Sequence, residues 1–291
     1  MHVPKKPKAI RIAILWRTRR MLRRGGAAAR KFMPARSSFS NVIYWVVVGF
    51  LFLPLFVLVL YSFNSGRQAT WQGFSFEWYQ KLVMASPELW RAFFNSVIIA
   101  FGSALMSTII GTLAAVGTAR YSFKLKSFVS TMSFVPMILP EIVVGVSLLI
   151  FFAGVGLKLG LATVWIAHTT FNLPFVYLLV SARMEESDPS IVEAARDLGA
   201  NEMQILFRII LPMALPGILS AFLTAVTLSL EDFVITFFVT GPGGTTLPLY
   251  IYSMIRFGVS PVINALSAVM VAGTVILIYP MRNFLKVFAA R

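Results

Sequence analysis

RMEESDPSIVEAARDLGANEMQILFRIILP, residues 183–212, interrupts a chain that is otherwise mostly apolar enough for a membrane. More than half of the chain's 11 acids fall inside it, at Glu185, Glu186, Asp188, Glu193, Asp197 and Glu202. The pattern specifies two short helices with defined ends. Asp188 is placed to cap the first, with Pro189 at its first position, where a missing N–H costs nothing. Gly199 supplies a left-handed stop, and Asn201 followed by Gln204 forms a capping box for a second helix running to Leu211. A short helix, a glycine elbow and a second helix make a suitable docking element.

The flanking sequence is apolar in long uncharged runs. Hydrophobic residues make up 58% of the chain and charged residues 13%, a balance that excludes a soluble globule. Runs longer than the roughly 18 residues that mark a spanning helix predict six spans in an all-α polytopic fold, near residues 41–63, 92–119, 128–154, 161–182, 213–240 and 262–280. Lys and Arg collect on the cytosolic side of short loops, and the first 36 residues hold 12 of them and no acid. With that tail in the cytosol, counting crossings returns the polar segment and Arg282, Lys286 and Arg291 to the cytosol. Only Arg67, Lys81, Arg91, Lys158 and Arg256 are left outside. The expected organisation is a basic cytosolic tail, 1–40, and one membrane domain, 41–291, with both termini cytosolic and the polar loop 183–212 facing the cytosol.

The net charge of +15 comes largely from a tail beside a span, so anionic membrane lipid is the expected partner and nucleic acid is not. The tail also has the Arg-rich, acid-free composition of an organellar transit peptide, although nothing in the sequence requires cleavage. The absence of cysteine excludes disulfides and thiolate metal sites, and two histidines do not make a metal centre. His168, inside the fourth span, is expected to be a hydrogen-bonded packing residue. No Gly-rich loop ending in Gly-Lys-Ser/Thr is present to cradle a nucleotide, and Gly241-Pro-Gly-Gly-Thr-Thr lacks the lysine. That stretch reads as a turn or re-entrant approach to the last helices. Scattered serines with one intramembrane histidine do not pair a nucleophile with a base, so no catalytic site is expected. Any ATP must bind another subunit.

The polar segment resembles the cytosolic EAA loop of the binding-protein-dependent ABC importer permeases. The residues that carry the likeness are Glu193-Ala194-Ala195, Gly199, Ile209 and Leu211-Pro212, set between the fourth and fifth of six spans. Within that family, Leu60-Tyr-Ser-Phe-Asn-Ser, Trp71-Gln-Gly-Phe with Trp78-Tyr79, Ala119-Arg-Tyr, Phe238-Val-Thr-Gly-Pro-Gly, Leu247-Pro, Ile251-Tyr-Ser-Met, Gly258-Val-Ser-Pro and Asn264-Ala-Leu look like the spermidine/putrescine permeases. The resemblance runs from about Trp45 to the C-terminus. It implies a bacterial inner-membrane permease that pairs with a second homologous permease, two ATPase subunits holding ATP and Mg, and an extracytoplasmic polyamine-binding protein. The chain itself would bind no cofactor. The resemblance also implies an ATPase joint made by Glu193, Ala194, Ala195 and Gly199. Alanines at 194 and 195 would let another backbone approach, and the opposing reading is a solvated helix resting on the domain's own underside. Glu202 either serves its own helix dipole or meets the ATPase.

Three acids lie inside spans, Glu141, Glu231 and Asp232. A carboxylate at the bilayer centre costs roughly 3 kcal/mol on insertion scales, so it should face a cavity, a partner or a cation. A polyamine supplies several ammonium groups on a flexible apolar stem. Glu141 follows Pro140, four residues after Pro136, where a helix should break; it either lines a cavity or caps the resumed helix. Glu231 and Asp232, as helix neighbours, should point about 100° apart. One would meet substrate and the other the partner permease, with Thr224 and Thr227 on the Glu231 side and Ser229 and Thr236 flanking Asp232. The polyamine permeases usually carry Asp-Asp here, so Glu231 keeps the charge and extends the reach. Ser229 and Trp78 complete the expected substrate contacts, with Trp78 and Tyr79 placed in the outer loop as cation-recognising rings or as an interfacial belt. Three other readings are open at this point: an ABC permease for another small cation or organic solute, a proton-coupled secondary carrier, and a membrane scaffold.

Overall fold

The computed structural model describes residues 38–66, 70–257 and 260–289, with side chains as far as Ile276. The expected basic tail lies almost wholly outside those residues. The chain divides into two compact units between Leu58 and Val59. The first contains most of α1 (Ser38–Tyr61), whose sequence is apolar on every side. A helix with no polar face belongs in lipid or a large core.

The second unit is built from α2 (Glu77–Met84), α3 (Pro87–Arg120), α4 (Lys126–Ile138), α5 (Glu141–Gly154), α6 (Leu161–Glu185), α7 (Ser190–Asp197), α8 (Glu202–Ile205), α9 (Leu211–Glu231), α10 (Val234–Val239), α11 (Leu247–Phe257) and α12 (Pro261–Ala289). No strand occurs among the described residues beyond an isolated bridge between Asn64 and Phe74. Helices α3, α6 and α9 form the central packing. Their contact is lined by small residues, Ala100, Ala104 and Ala115 of α3 with Ala221 and Ala225 of α9, all fully buried. In lipid, where no hydrophobic drive pushes helices together, close backbone approach supplies the attraction. Gly111 shows how close: a Cβ there would meet Val176 at 2.6 Å. The Tyr177 hydroxyl, between Thr118 at 3.1 Å and Ser130 at 2.9 Å, ties α3, α4 and α6 together.

Among the described residues, four helices are long and apolar enough to cross a membrane: Phe39–Tyr61, Pro87–Arg120, Leu161–Glu185 and Glu202–Glu231. The expected third span, 128–154, is a bent pair, α4 and α5, with an angle of 111° between them. Pro136 inside α4 and Pro140 at the joint remove two N–H donors, and Leu139 and Pro140 adopt extended backbone. The expected fifth span ends early as a helix. It stops at Glu231, Asp232 is extended (ψ 126°), and α10 starts afresh at Val234. The last expected span falls inside α12, a helix of 29 residues.

Candidate functional site

Both breaks open onto one cavity of about 370 Å³. Its wall includes Pro136 and Glu141 from the α4–α5 bend, Phe171 and Phe175 from α6, and Glu231, Asp232 and Phe233 from the α9–α10 break. The three intramembrane acids, at positions 141, 231 and 232, therefore converge. The helix ends between Glu231 and Asp232, so helix spacing alone does not set their directions; the first is exposed and the second buried. Glu141 makes no side-chain cap bond at the resumed helix. It is the first residue of α5, where a carboxylate suits the helix dipole, and it lines the cavity.

The acids differ in how much of their bonding capacity is already used. Glu141 and Glu231 are exposed and carry no hydrogen bond or ion pair among the described residues. Asp232 is buried and tied to four donors. Its Oδ1 accepts from the Ile235 amide at 3.2 Å, and its Oδ2 accepts from the Thr236 amide at 2.9 Å and hydroxyl at 2.7 Å. The ring of His168, fully buried in α6, brings Nε2 to 3.1 Å from Oδ2. A packing role for His168 is thus what the structure shows. Its partner 64 residues away could not be seen in the sequence, where only a lone histidine in an apolar span hinted at one.

Two expected contacts do not reach the cavity. Ser229 is buried at the opposite edge of the His168 ring, 2.6 Å from Nδ1. Trp78 lies in α2 rather than in a loop and is only 4% exposed. Its Nε1 donates to the Asn64 carbonyl at 2.7 Å, and the Lys81 ammonium already occupies its ring at 4.5 Å. Apolar packing with Leu82, Leu89 and Leu247 explains its burial.

The two-helix joint is capped as expected. Asp188 accepts from the Ser190 amide at 2.9 Å and opens α7, which begins at Ser190. That backbone bond holds the Asp188 carboxyl below its ordinary range. Gly199 closes the helix with φ 81°. The amide of Ala200 reaches the Ala195 carbonyl at 3.0 Å and that of Gly199 reaches Arg196 at 2.9 Å, the paired bonds of a Schellman cap. Asn201 and Gln204 exchange side-chain bonds to each other's amides at 2.9 and 3.0 Å. The alanines part company, however. Ala195 and Val192 are buried in the main core, whereas Glu193 and Ala194 face outward with Ile191 and Leu198. Adjacent helix positions lie about 100° apart, so the helix both rests on its own domain and presents a free face. Leu198 is 88% exposed. Glu202 bonds to Arg196 Nε at 3.0 Å and accepts from the Tyr121 hydroxyl at 3.1 Å, pinning α7 to the end of α3. Sequence reading missed Tyr121 and Arg196 as its partners.

The expected second short helix does not stop at Leu211. It passes through a π-helical turn, Leu206–Ile210, and continues as α9, so residues 202–231 form one rod. The Leu211 amide bonds to the Leu206 carbonyl, five residues back. The wide turn lets Pro212, which lacks an N–H and crowds the preceding turn, follow without ending the helix.

An all-helical, multi-pass fold with a two-helix joint and an acid-lined cavity between broken helices defines a solute-conducting membrane subunit. The chain belongs to the binding-protein-dependent transport system inner membrane components, the family it matches over residues 107–291. It is 42% identical over 244 residues to the spermidine/putrescine transport system permease protein PotC of Escherichia coli (strain K12), covering 84% of this chain and 90% of that one. Against PotC of Haemophilus influenzae the identity is 43% over 232 residues, with 79% and 90% covered. Against the putrescine transport system permease protein PotI of Escherichia coli (strain K12) it is 41% over 248 residues, with 82% and 88% covered. The fold is similar to a bacterial alginate ABC transporter solved in complex with an alginate-bound periplasmic protein, at TM-score 0.66 and 19% identity over 84% of this chain and 91% of that one. It is also similar to the MetNI methionine ABC transporter, at TM-score 0.55 and 25% identity over 68% and 94%. The chain is a multi-pass inner-membrane protein and a permease subunit of this transporter class.

Proposed function

We propose that the chain forms half of the translocation path of an ATP-driven importer of polyamines, spermidine or putrescine, and docks an ATPase subunit through α7. The observation that carries the reading is the convergence of Glu141 and Glu231, both free to pair, on one cavity with Phe171, Phe175 and Phe233. Free carboxylates fit ammonium groups, and aromatic faces fit both the apolar stem and the charge. The names and identities of the PotC and PotI relatives support the same cargo.

The rest of the machine is what family membership implies: ATP and Mg held by two partner subunits, a second homologous permease to close the path, and an extracytoplasmic binding protein to deliver cargo. The exposed face of α7, Ile191, Ala194 and Leu198 flanked by Glu193, is the surface offered to the motor. The test is uptake by the complete transporter in proteoliposomes with a panel of competing ligands. Spermidine or putrescine should compete at the lowest concentration; a neutral or anionic solute that competes better would overturn the cargo. Uptake that persists with a non-hydrolysable ATP analogue would overturn the drive.

A further inference from the structure

The buried polar chain behind the cavity gives Asp232 a different task from its two neighbours. Ser103 Oγ donates to Ser229 Oγ at 3.3 Å, Ser229 Oγ lies 2.6 Å from His168 Nδ1, and His168 Nε2 lies 3.1 Å from Asp232 Oδ2 and 2.9 Å from Thr236 Oγ1. One proton arrangement satisfies the run: the Ser229 hydroxyl donates to Nδ1, and Nε2–H donates to the carboxylate. Three elements meet in it, α3 through Ser103, α6 through His168, and the α9–α10 break through Ser229, Asp232 and Thr236. Asp232 meanwhile caps α10 with both oxygens. Four donors from within the protein hold its carboxylate, three of them on Oδ2.

We propose that His168 is a positioning residue of the transport cavity. Backed by Ser229 and Ser103, it locks Asp232 as the anchor of the helix break, and the locked break aims Glu231, with Glu141 opposite, at the cationic cargo. Asp232 then shapes the site without being its main contact. The proposal rests on the cavity being the substrate path and adds a division of labour within it: two carboxylates bind, the third builds. It also assigns Ser229 an indirect role, since a hydroxyl fixed to the far edge of the imidazole influences cargo only through the ring.

The experiment is a double-mutant cycle on the complete reconstituted transporter, measuring KM and maximal uptake rate for the polyamine that competes best, with complex yield by size exclusion as the control. His168→Ala should raise KM about tenfold. Adding Asp232→Ala to it should cost less than threefold more, because the two residues act as one unit, whereas adding Glu141→Gln should multiply the losses. His168→Gln, which keeps an N–H within reach of Asp232, should recover part of the lost affinity, and it carries the cycle should the alanine variant not assemble. Fully multiplicative effects of His168 and Asp232, or an unchanged KM in His168→Ala, would overturn the proposal. Unchanged uptake in both Glu141→Gln and Glu231→Gln would instead overturn the cavity as the path, so the two failures are told apart.

Discussion

Glu231 and Asp232 are neighbours with the same charge, yet one is exposed to the cavity and the other is tied to four donors. The difference predicts different consequences for the same chemical change. Replacing Glu141 or Glu231 by Gln removes a charged partner of an ammonium group, worth about 1.5–3 kcal/mol, and should raise the KM for polyamine uptake roughly tenfold or more without lowering complex yield. Asp232→Asn removes a charged acceptor from a cap inside the fold, so it should also lower thermal stability of the purified complex, by about 1–3 kcal/mol. Gly199 has open space around it, so only its backbone angle forbids a side chain. Gly199→Ala should destabilise the elbow by about 1–2 kcal/mol, visible as faster amide exchange in residues 190–201. The importance of the three acids was legible in the sequence, because a charge inside an apolar run has no cheap structural excuse. Their convergence was not, since it depends on where tertiary bonds from His168 stop a helix that local propensity would continue.

At the scale of elements, α7 carries its instructions in its own sequence. Asp188, Gly199, Asn201 and Gln204 set its ends and the start of α8 through contacts within a few residues, which is why those ends were predictable. Which face it buries was not predictable from the alanine pair, because Val192 and Ala195 are chosen by a core assembled from α3, α6 and α9. Leu198→Lys, on the free face, should abolish co-purification of the ATPase while leaving the yield of folded permease unchanged. The Asp188 cap also sets a pH dependence. Its folded pKa is lowered, so its stabilisation of α7 is present above the ordinary carboxylate range and lost as pH falls through the folded value. Amide exchange at Ser190 should therefore accelerate, relative to its intrinsic rate, only in strong acid; acceleration near neutral pH would contradict this assignment.

For the whole molecule, charge asymmetry and hydropathy were enough to read a polytopic helical fold. They did not show that two of the expected spans are broken, at Pro140 and at Asp232, because a hydropathy window averages over a break. The predicted sidedness is directly measurable, since the chain has no cysteine to remove. A single cysteine at Leu198 should react with a membrane-impermeant maleimide only from the cytosolic side, and one at Leu157 only from the opposite side. The reverse pattern would invert the topology. The unbroken run from Glu202 to Glu231 has a mechanical meaning of its own. Thirty residues make a rod about 45 Å long, with the clasp to α7 at one end and the cavity carboxylate Glu231 at the other. A motor seated at the near end and a cation held at the far end would thus grip the same lever. Whatever tilt the motor imposes changes the grip on the cation, and by reciprocity the cation biases the motor, so an occupied path should announce itself to the ATPase without any separate messenger.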